Sequence, residues 1–447
     1  MRNKLTIGMT ALGAVMISGN AFADAETIVA AVEPIINGAD TSWLMISSAL
    51  VMLMTPGLAF FYGGLVRRKN VLSVLMQCMF ILCLVTIQWV VVGYSLAFGP
   101  DIKGIIGDLS WIGLSGVGLI PHSVYATTVP HQVFMIFQAM FAVITPALII
   151  GAFAERVKFI PFCIFTLLWS TFVYDPVAHW VWADGGILGT FGGMGALDFA
   201  GGAVVHINAG MAALAGALFL GKRLGYPNKM SPPHNLPFAV LGAGLLWFGW
   251  FGFNAGSALA ANGIAVNAFV ATHIASAAAG LTWGILDIFH NKKSTLLGII
   301  TGAVAGLVAI TPAAGFVTPM ASIIIGLGAG GICYLSVTFM KTKLGYDDSL
   351  DAFGVHGVGG IWGAIATGLF ATTTVNPGGA DGLFYGNPGL LLIQLKAIGI
   401  TIIYSFIVTS ILFWVVDKVF GLRADEHAER VGLDLTEHRE AAYTTLE

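Results

Sequence analysis

The chain has 447 residues, of which 57% are hydrophobic and only 10% are charged, and its formal net charge is -3. Soluble proteins carry about 25% charged residues, so this composition excludes an ordinary soluble protein. Apolar runs of about 20 residues recur along the chain and predict a polytopic helical membrane protein. We expect no nucleic-acid partner for such a protein.

The first residues have the features of a secretory signal peptide. Met1-Arg-Asn-Lys4 is followed by a short apolar run and by Ala21-Phe22-Ala23, a small-residue pattern typical of a cleavage site. We therefore predict a cleaved signal peptide over 1–23 and a periplasmic segment over 24–42. The alternative is a short first transmembrane helix that stays attached to the chain.

The rest of the chain contains about eleven apolar spans of membrane-crossing length, which predicts an all-α membrane domain over 43–419. A polar tail of mixed charge follows over 420–447, and we expect it to lie in the cytoplasm. The expected spans are 43–65, 71–98, 131–154, 159–180, 198–221, 237–257, 266–289, 295–312, 320–340, 352–372 and 389–419.

Lysine and arginine fall in alternate loops between these spans. The opposite loops hold only Lys103, with Lys396 in the outer half of the last span. Because positive charge stays on the cytoplasmic side, we expect an external N-terminus, a cytoplasmic C-terminus and an odd number of spans. The basic loops contain Arg67, Arg68, Lys69, Arg156, Lys158, Lys222, Arg223, Lys229, Lys292, Lys293, Lys341 and Lys343.

The spans fall into two groups around the loop at 227–237, with five before it and five between it and the last span. An odd number of spans in each group makes the second group run in the opposite direction across the membrane. We therefore predict an inverted repeat of five plus five spans, with a long eleventh span outside it.

Two histidines lie at membrane depth, His206 on the fifth span and His356 on the tenth. Each is followed at helical spacing by small residues, such as Gly210 and Gly360, which let a partner helix approach closely. Ionisable groups inside a membrane are costly and are commonly functional. We therefore expect the two imidazoles to meet near the bilayer centre, and the alternative is a buried structural pair.

The other candidates are one carboxylate and several side chains near the outer ends of spans. Asp198 heads the fifth span, where aspartate is a preferred N-cap, and we favour this structural role over direct ligation. Phe137 and Phe141 lie four residues apart on one helix face, as do Phe253 and Ser257. Aromatic rings near membrane interfaces are commonly plain anchors, but such rings can also hold a small cation.

Five blocks of this sequence resemble those of the ammonium transporter family, the Amt/Mep/Rh group, and in particular its bacterial Amt-type members. The resemblance runs from about Trp43 through the tail, and the blocks occur in the family's order. They are 58–65, 151–156, 198–223, 249–257 and 351–357.

The resemblance implies roles for residues along a pore. Phe137, Trp182 and Ser257 match an outer vestibule that recruits ammonium. Phe141 and Phe253 match a stacked pair that gates the pore.

It also implies that His206 and His356 are twin pore histidines and that Asp198 supports the recruiting site. The family further implies a homotrimer with one pore per subunit in the bacterial inner membrane. A trimeric cytoplasmic PII protein is the regulatory partner implied for bacterial members.

The chain departs from the family pattern at two places. Arg439 follows His438, where the family has glycine. The stretch between Trp182 and Asp198 is longer than the bacterial pattern predicts, so we expect an outer loop of different shape.

The predicted function is ammonium or ammonia transport across the cytoplasmic membrane. An apolar pore offers almost nothing to replace the hydration shell of an ion. Ammonium can give up a proton and cross as neutral ammonia, whereas potassium cannot. We therefore expect deprotonation at the vestibule, conduction past the histidines, and a proton relay between the imidazoles if transport carries charge.

Two other functions remain open on the sequence. The first is an ammonium sensor that signals through the tail to a cytoplasmic PII-type partner. The second is a membrane-embedded enzyme with a histidine-ligated metal, which needs a third ligand beside His206 and His356. We find no such ligand and no glycine-rich phosphate loop, so we expect no metal, no cofactor, no ATP drive and no enzymatic activity.

Overall fold

A computed structural model of the protein describes residues 36–229 and 232–443. The predicted signal peptide and residues 24–35 of the predicted periplasmic segment lie outside the described residues. In the described part, ten helices are long and apolar enough to cross a membrane, and an apolar helix of 15 residues adds an eleventh. They are numbered α1 to α11: Gly38–Leu65, Arg68–Phe98, His131–Phe153, Phe159–Trp182, Gly202–Leu220, Leu236–Gly256, Gly263–Asn291, Leu296–Ile310, Pro319–Leu344, Phe353–Phe370 and Pro388–Phe420.

The predicted all-α membrane fold is therefore confirmed, and each predicted span corresponds to one of these helices. Helix α5 begins later than predicted, at Gly202 instead of at residue 198. The cause is Gly201, whose φ of 111° lies in a region that glycine adopts without steric cost. Helix α1 begins earlier than predicted, at Gly38, because the side chain of Asn37 caps its first N–H groups.

Helix α8 is too short to cross a membrane by itself. Its 15 residues extend about 22 Å, against a hydrocarbon core of about 30 Å. The chain continues as a buried turn in which Thr311, Ala314 and Val317 have no exposed surface. Non-helical backbone at membrane depth is tolerated where protein surrounds it, as it does here.

The inverted repeat is visible in matching distortions of the helices. A wider, π-helical turn interrupts α4 at Ser170–Tyr174 and α9 at Ser336–Met340. Another occurs in α5 at Gly202–Ile207 and in α10 at Phe353–Gly357. Since α4 and α5 stand in the first half where α9 and α10 stand in the second, these four distortions recur at equivalent helices. A further π-helical turn in α2, at Trp89–Gly93, has no counterpart in α7.

The π-helical turn in α4 is next to a proline. Pro176 has no N–H, so it cannot donate to the carbonyl of Phe172 one turn earlier. That carbonyl instead accepts a hydrogen bond of 2.7 Å from the hydroxyl of Tyr404 on α11. The final helix is thereby fastened to the first half of the repeat.

Two small antiparallel hairpins lie in the loop between α2 and α3. The first pairs β1, Asp101–Ile102, with β2, Ile106–Gly107, and the second pairs β3, Pro121–His122, with β4, Ala126–Pro130. The indole N–H of Trp180 on α4 donates to the carbonyl of Ile105 at 2.7 Å. The loop therefore packs on the end of α4.

At the other end of the helices, charged residues from four loops form a buried ion network, which we call the basic end. Arg67 pairs with Glu155 at 2.9 Å, while Arg156 and Arg223 pair with Asp347 at 3.1 and 2.7 Å. Burial would raise the pKa of Asp347, but the hydrogen bonds and charge of Arg223, with the charge of Arg156, hold it below its ordinary value.

The tail docks at this basic end as two short helices, α12, Glu426–Val431, and α13, Leu433–His438. Asp434 accepts a hydrogen bond of 2.8 Å from the backbone N–H of Ser73, near the start of α2. Glu437 accepts one of 2.8 Å from the N–H of Phe159, the first residue of α4. The acidic tail residues thus cap helix N-termini, where negative charge is stabilising.

Helix α13 ends at His438, and the next residue, Arg439, adopts the left-handed conformation with φ 57°. Glycine is the usual residue at this position of a helix end, because side chains other than glycine are strained there. The glycine that the family pattern predicts after His438 would therefore relieve strain that this chain carries.

We predict that Arg439→Gly stabilises the docked tail by about 1 kcal/mol, since the strain of a left-handed residue is of that order. Hydrogen exchange of the tail backbone in the full-length protein should slow accordingly, while Arg439→Ala should leave it nearly unchanged. Faster exchange in the glycine variant would show that a contact of the arginine outweighs its strain.

We also predict that the basic end loses stability in acid. The ionised carboxylate of Asp347 stabilises the fold above its unfolded pKa of about 3.9, and this contribution is lost as the pH falls through its lower folded-state pKa. The thermal unfolding midpoint should therefore fall steeply below about pH 4.

The matched variant is Asp347→Asn, which leaves Arg156 and Arg223 without their shared counter-charge. It should cost about 3 kcal/mol at pH 7 and flatten the acid decline. The control is Asp381→Asn in an exposed loop, which should leave the midpoint at pH 7 unchanged. An Asp347→Asn midpoint equal to that of the unmodified protein would contradict the assigned role of the network.

Candidate functional site

A cavity of about 240 Å³ opens at the end of the helices opposite the basic end. We call it the outer cavity. Tyr125, from the loop that carries the hairpins, forms part of its wall. Its lining also includes Gln138 and Phe141 on α3, Trp182 at the end of α4, Asp198, and Ser257 after α6.

The polar groups of this cavity are already partly engaged. The indole N–H of Trp182 donates to the carbonyl of Asp198 at 2.9 Å, so the indole N–H is not free for a ligand. The hydroxyl of Ser257 donates to the carbonyl of Phe253 at 2.8 Å, which leaves its oxygen lone pairs free to accept. The cavity can therefore offer a cation an aromatic ring and a hydroxyl oxygen.

The carboxylate of Asp198 is used by the backbone. It accepts hydrogen bonds from the N–H groups of Gly201, Gly202, Ala203 and Val204 at 3.0, 2.5, 2.8 and 3.2 Å. These are the N–H groups that the start of α5 leaves without helical partners. Burial raises the pKa of Asp198, and the four N–H groups oppose that shift. The geometry favours a structural role over direct ligation.

Two phenylalanine rings close the floor of the outer cavity. Phe141 and Phe253 are stacked with their ring centroids 4.2 Å apart. Phe137 is fully buried behind them, with its centroid 4.9 Å from that of Phe141. Trp182 stands at 90° to Phe141 at 5.8 Å. The rings leave no open passage between the cavity and the residues below unless they move.

His206 and His356 lie beneath this stack, and their imidazoles meet as the sequence predicts. Their Nδ1 atoms are 3.4 Å apart, and the side chains are nearly parallel, with centroids at 5.4 Å. A Cβ atom on Gly210 would collide with the backbone of Gly357. The close crossing of α5 and α10 at these two glycines therefore brings the imidazoles together.

The two facing Nδ1 atoms share a single proton. A hydrogen bond between two Nδ1 atoms needs one donor and one acceptor, so only one of them carries a proton. The Nε2 atom of His206 is buried and has no hydrogen-bond partner among the described residues. Both histidines, Trp250 and Phe253 line a void of about 10 Å³, a volume that suits one small molecule such as water.

A second, inner cavity of about 390 Å³ lies on the other side of the histidine pair. His356, Tyr62 and Arg223 contribute to its wall, and it opens toward the basic end. Lys341 and Asp351, which also line it, form an ion pair. The outer cavity, the phenylalanine stack, the histidines and the inner cavity thus follow one another across the membrane domain.

Asp198 has a counterpart that was not predicted from the sequence. Asp348 accepts hydrogen bonds from Ala352 N at 3.0 Å and Phe353 N at 2.8 Å, and so caps α10 as Asp198 caps α5. Burial and the charge of Asp351 raise the pKa of Asp348 to about 6. A sequence signal was available, because each aspartate stands eight residues before its histidine.

The structure brings all the predicted site residues into this one line of cavities. Phe137 differs from the rest, because it supports the stack from behind instead of facing the outer cavity. Trp250, whose ring stacks on His206 at 5.4 Å, is a neighbour that the sequence reasoning did not assign. Within residues 36–229 and 232–443, no group of three or more His, Cys, Asp or Glu side chains is placed to hold a metal ion.

Comparison with known proteins relates this arrangement to one family. The family model described as Ammonium Transporter Family matches residues 42–443. An ammonium transporter of Bacillus subtilis is 55% identical over 404 residues, which cover 90% of this chain and 98% of that protein.

Solved structures are similar as well. Mep2 of Saccharomyces cerevisiae has a TM-score of 0.82 at 38% identity, with 88% of each chain covered. A protein described as a sensor Amt protein has a TM-score of 0.80 at 30% identity, covering 90% of this chain and 98% of its own. The chain therefore belongs to the ammonium transporter family.

Proposed function

We propose that this chain recruits ammonium in the outer cavity, removes a proton from it, and conducts ammonia past His206 and His356 to the inner cavity. The observation that carries this proposal is the imidazole pair, buried behind a closed phenylalanine stack and between two cavities.

The first step is recruitment of the cation. The ring of Trp182 attracts a desolvated cation by about 1–2 kcal/mol, and the lone pairs of Ser257 accept one N–H hydrogen bond. Both residues line the outer cavity. Asp198 does not contact the cation. Its carboxylate holds the start of α5, and its backbone carbonyl accepts the hydrogen bond that orients Trp182.

The second step is selection by proton loss. Moving an unpaired ion past Phe141 and Phe253 into an apolar void costs several kcal/mol or more. Ammonium avoids this cost when it gives its proton to solvent water in the outer cavity, and ammonia then needs only a few hydrogen bonds. His206 lines the void and its Nε2 atom has no partner among the described residues, so this nitrogen can supply one of them.

The third step concerns the proton. Two cationic imidazoles at this separation would repel each other, so the pair holds at most one positive charge. A proton that enters at one histidine can leave from the other through the Nδ1 contact. We propose this relay as the route by which charge accompanies ammonia.

We further propose an orientation and assembly. The basic end faces the cytoplasm, because positive loops stay on that side, and the outer cavity faces the periplasm of a bacterial cell. The chain assembles as a homotrimer with one pore per subunit. The docked tail, which caps α2 and α4, is the surface for regulation by a cytoplasmic PII protein.

We predict that His206→Ala combined with His356→Ala lowers ammonium flux or abolishes the rejection of potassium. The reason is that the void loses its hydrogen-bonding groups and gains space for water. Currents of proteoliposomes after ammonium and potassium jumps measure both effects, with each single variant as the comparison. Unchanged current and unchanged selectivity would remove the histidines from the mechanism.

The second candidate function is an ammonium sensor. It is favoured by the similarity to the structure described as a sensor Amt protein. The tail residues Asp434 and Glu437 also connect the membrane helices to a cytoplasmic surface that a partner could read.

Flux and binding measurements on the same purified, reconstituted protein separate the two functions. A transporter should move isotope-labelled ammonium into vesicles at a rate that saturates with concentration. Saturable binding without uptake would favour the sensor and contradict the transport proposal.

A further inference from the structure

One polar side chain of the outer cavity has no role in the mechanism above. Gln138 lies on α3, next to Phe137 and three residues before Phe141. It is only 8% exposed, yet it lines the cavity, and its carboxamide oxygen is buried with almost no exposed surface and no hydrogen-bond partner among the described residues. A buried amide oxygen without a partner is destabilising, so an orientation of the amide in which this oxygen meets an occupant of the cavity would be favoured.

The polar groups already assigned to recruitment leave an ammonium ion short of acceptors. Ammonium has four N–H donors. The carboxylate of Asp198 is occupied by backbone N–H groups, and Trp182 offers a ring face. Ser257 supplies one acceptor oxygen.

The carboxamide of Gln138 fits the missing acceptor chemically. Its oxygen carries two lone pairs, and a half-turn of the last side-chain bond exchanges the oxygen with the NH₂ group. This half-turn is the movement that would bring the buried oxygen to the cavity, where it can accept a hydrogen bond from a cation. Hydrogen bonds to a charged donor are stronger than those between neutral groups, which favours the cation over neutral ammonia at this position.

We propose that Gln138 is a direct ligand of the ammonium ion in the outer cavity. It accepts one N–H of the ion, Ser257 accepts another, and the ring of Trp182 covers a third side. This inference rests on the proposed transport function, whose recruiting step it completes. It makes Gln138 a determinant of affinity, whereas the rate of proton loss and conduction depends on residues below the phenylalanine stack.

The test is the ammonium concentration dependence of uptake into proteoliposomes. Gln138→Leu keeps the size of the side chain and removes the acceptor, so it should raise the half-saturating ammonium concentration about tenfold, the loss expected for one charge-assisted hydrogen bond. The maximal rate should stay close to that of the unmodified protein. Such a split between affinity and rate is not expected of a residue that only supports packing.

Gln138→Glu is the second variant and should act in the opposite direction. Its carboxylate is a stronger acceptor for a cation, so the half-saturating concentration should fall below that of the unmodified protein. The control is Gln132→Leu on the same helix, because Gln132 donates to the carbonyl of Val117 and is exposed. The control should leave the half-saturating concentration unchanged.

An unchanged half-saturating concentration in Gln138→Leu, with normal uptake by the unmodified protein, would overturn the ligand role and leave transport intact. If the leucine variant does not reach the membrane, the glutamate variant decides, and an equal or higher half-saturating concentration there overturns the proposal. Absence of uptake by the unmodified protein would instead overturn the transport function.

Discussion

The contact between two imidazoles at the crossing of α5 and α10 is the interaction on which the rest of this structure depends. It requires a backbone approach so close that a Cβ atom on Gly210 would collide with the backbone of Gly357. Both helices widen into a π-helical turn at their histidine, and an aspartate caps each of them before that turn. Each half of the repeat thus contains a capping aspartate, a π-helical turn and a histidine, and the two histidines meet at the centre.

The cost of desolvating an ion explains the arrangement around this pair. Charged and polar groups that could hold a cation lie in the outer and inner cavities, while the space between is a small void lined by aliphatic side chains, aromatic rings and the two histidines. An ion in that void lacks a counter-ion, whereas neutral ammonia, which has a lone pair and N–H groups, can form hydrogen bonds with the histidines. In this proposal, the same barrier that excludes potassium obliges ammonium to surrender its proton.

The membrane helices and the meeting of the two histidines could be predicted because the sequence patterns that indicate them are local. Runs of apolar residues predict helices, alternating basic loops predict a direction, and small residues after His206 and His356 predict a close helix crossing. Asp348 was missed because an aspartate in a basic loop looks solvated until its N–H partners are known. Gln138 was missed because a single amide in an apolar helix has the same sequence appearance whether it faces a neighbour or a cavity.

The measurement that tests the central claim most directly compares two tracers in the same vesicles with unmodified protein. Labelled ammonium and rubidium, a stand-in for potassium, have similar size and equal charge, but only ammonium can lose a proton. The account predicts saturable ammonium uptake and rubidium uptake no faster than in protein-free vesicles. Rubidium uptake at a rate comparable to that of ammonium would contradict it.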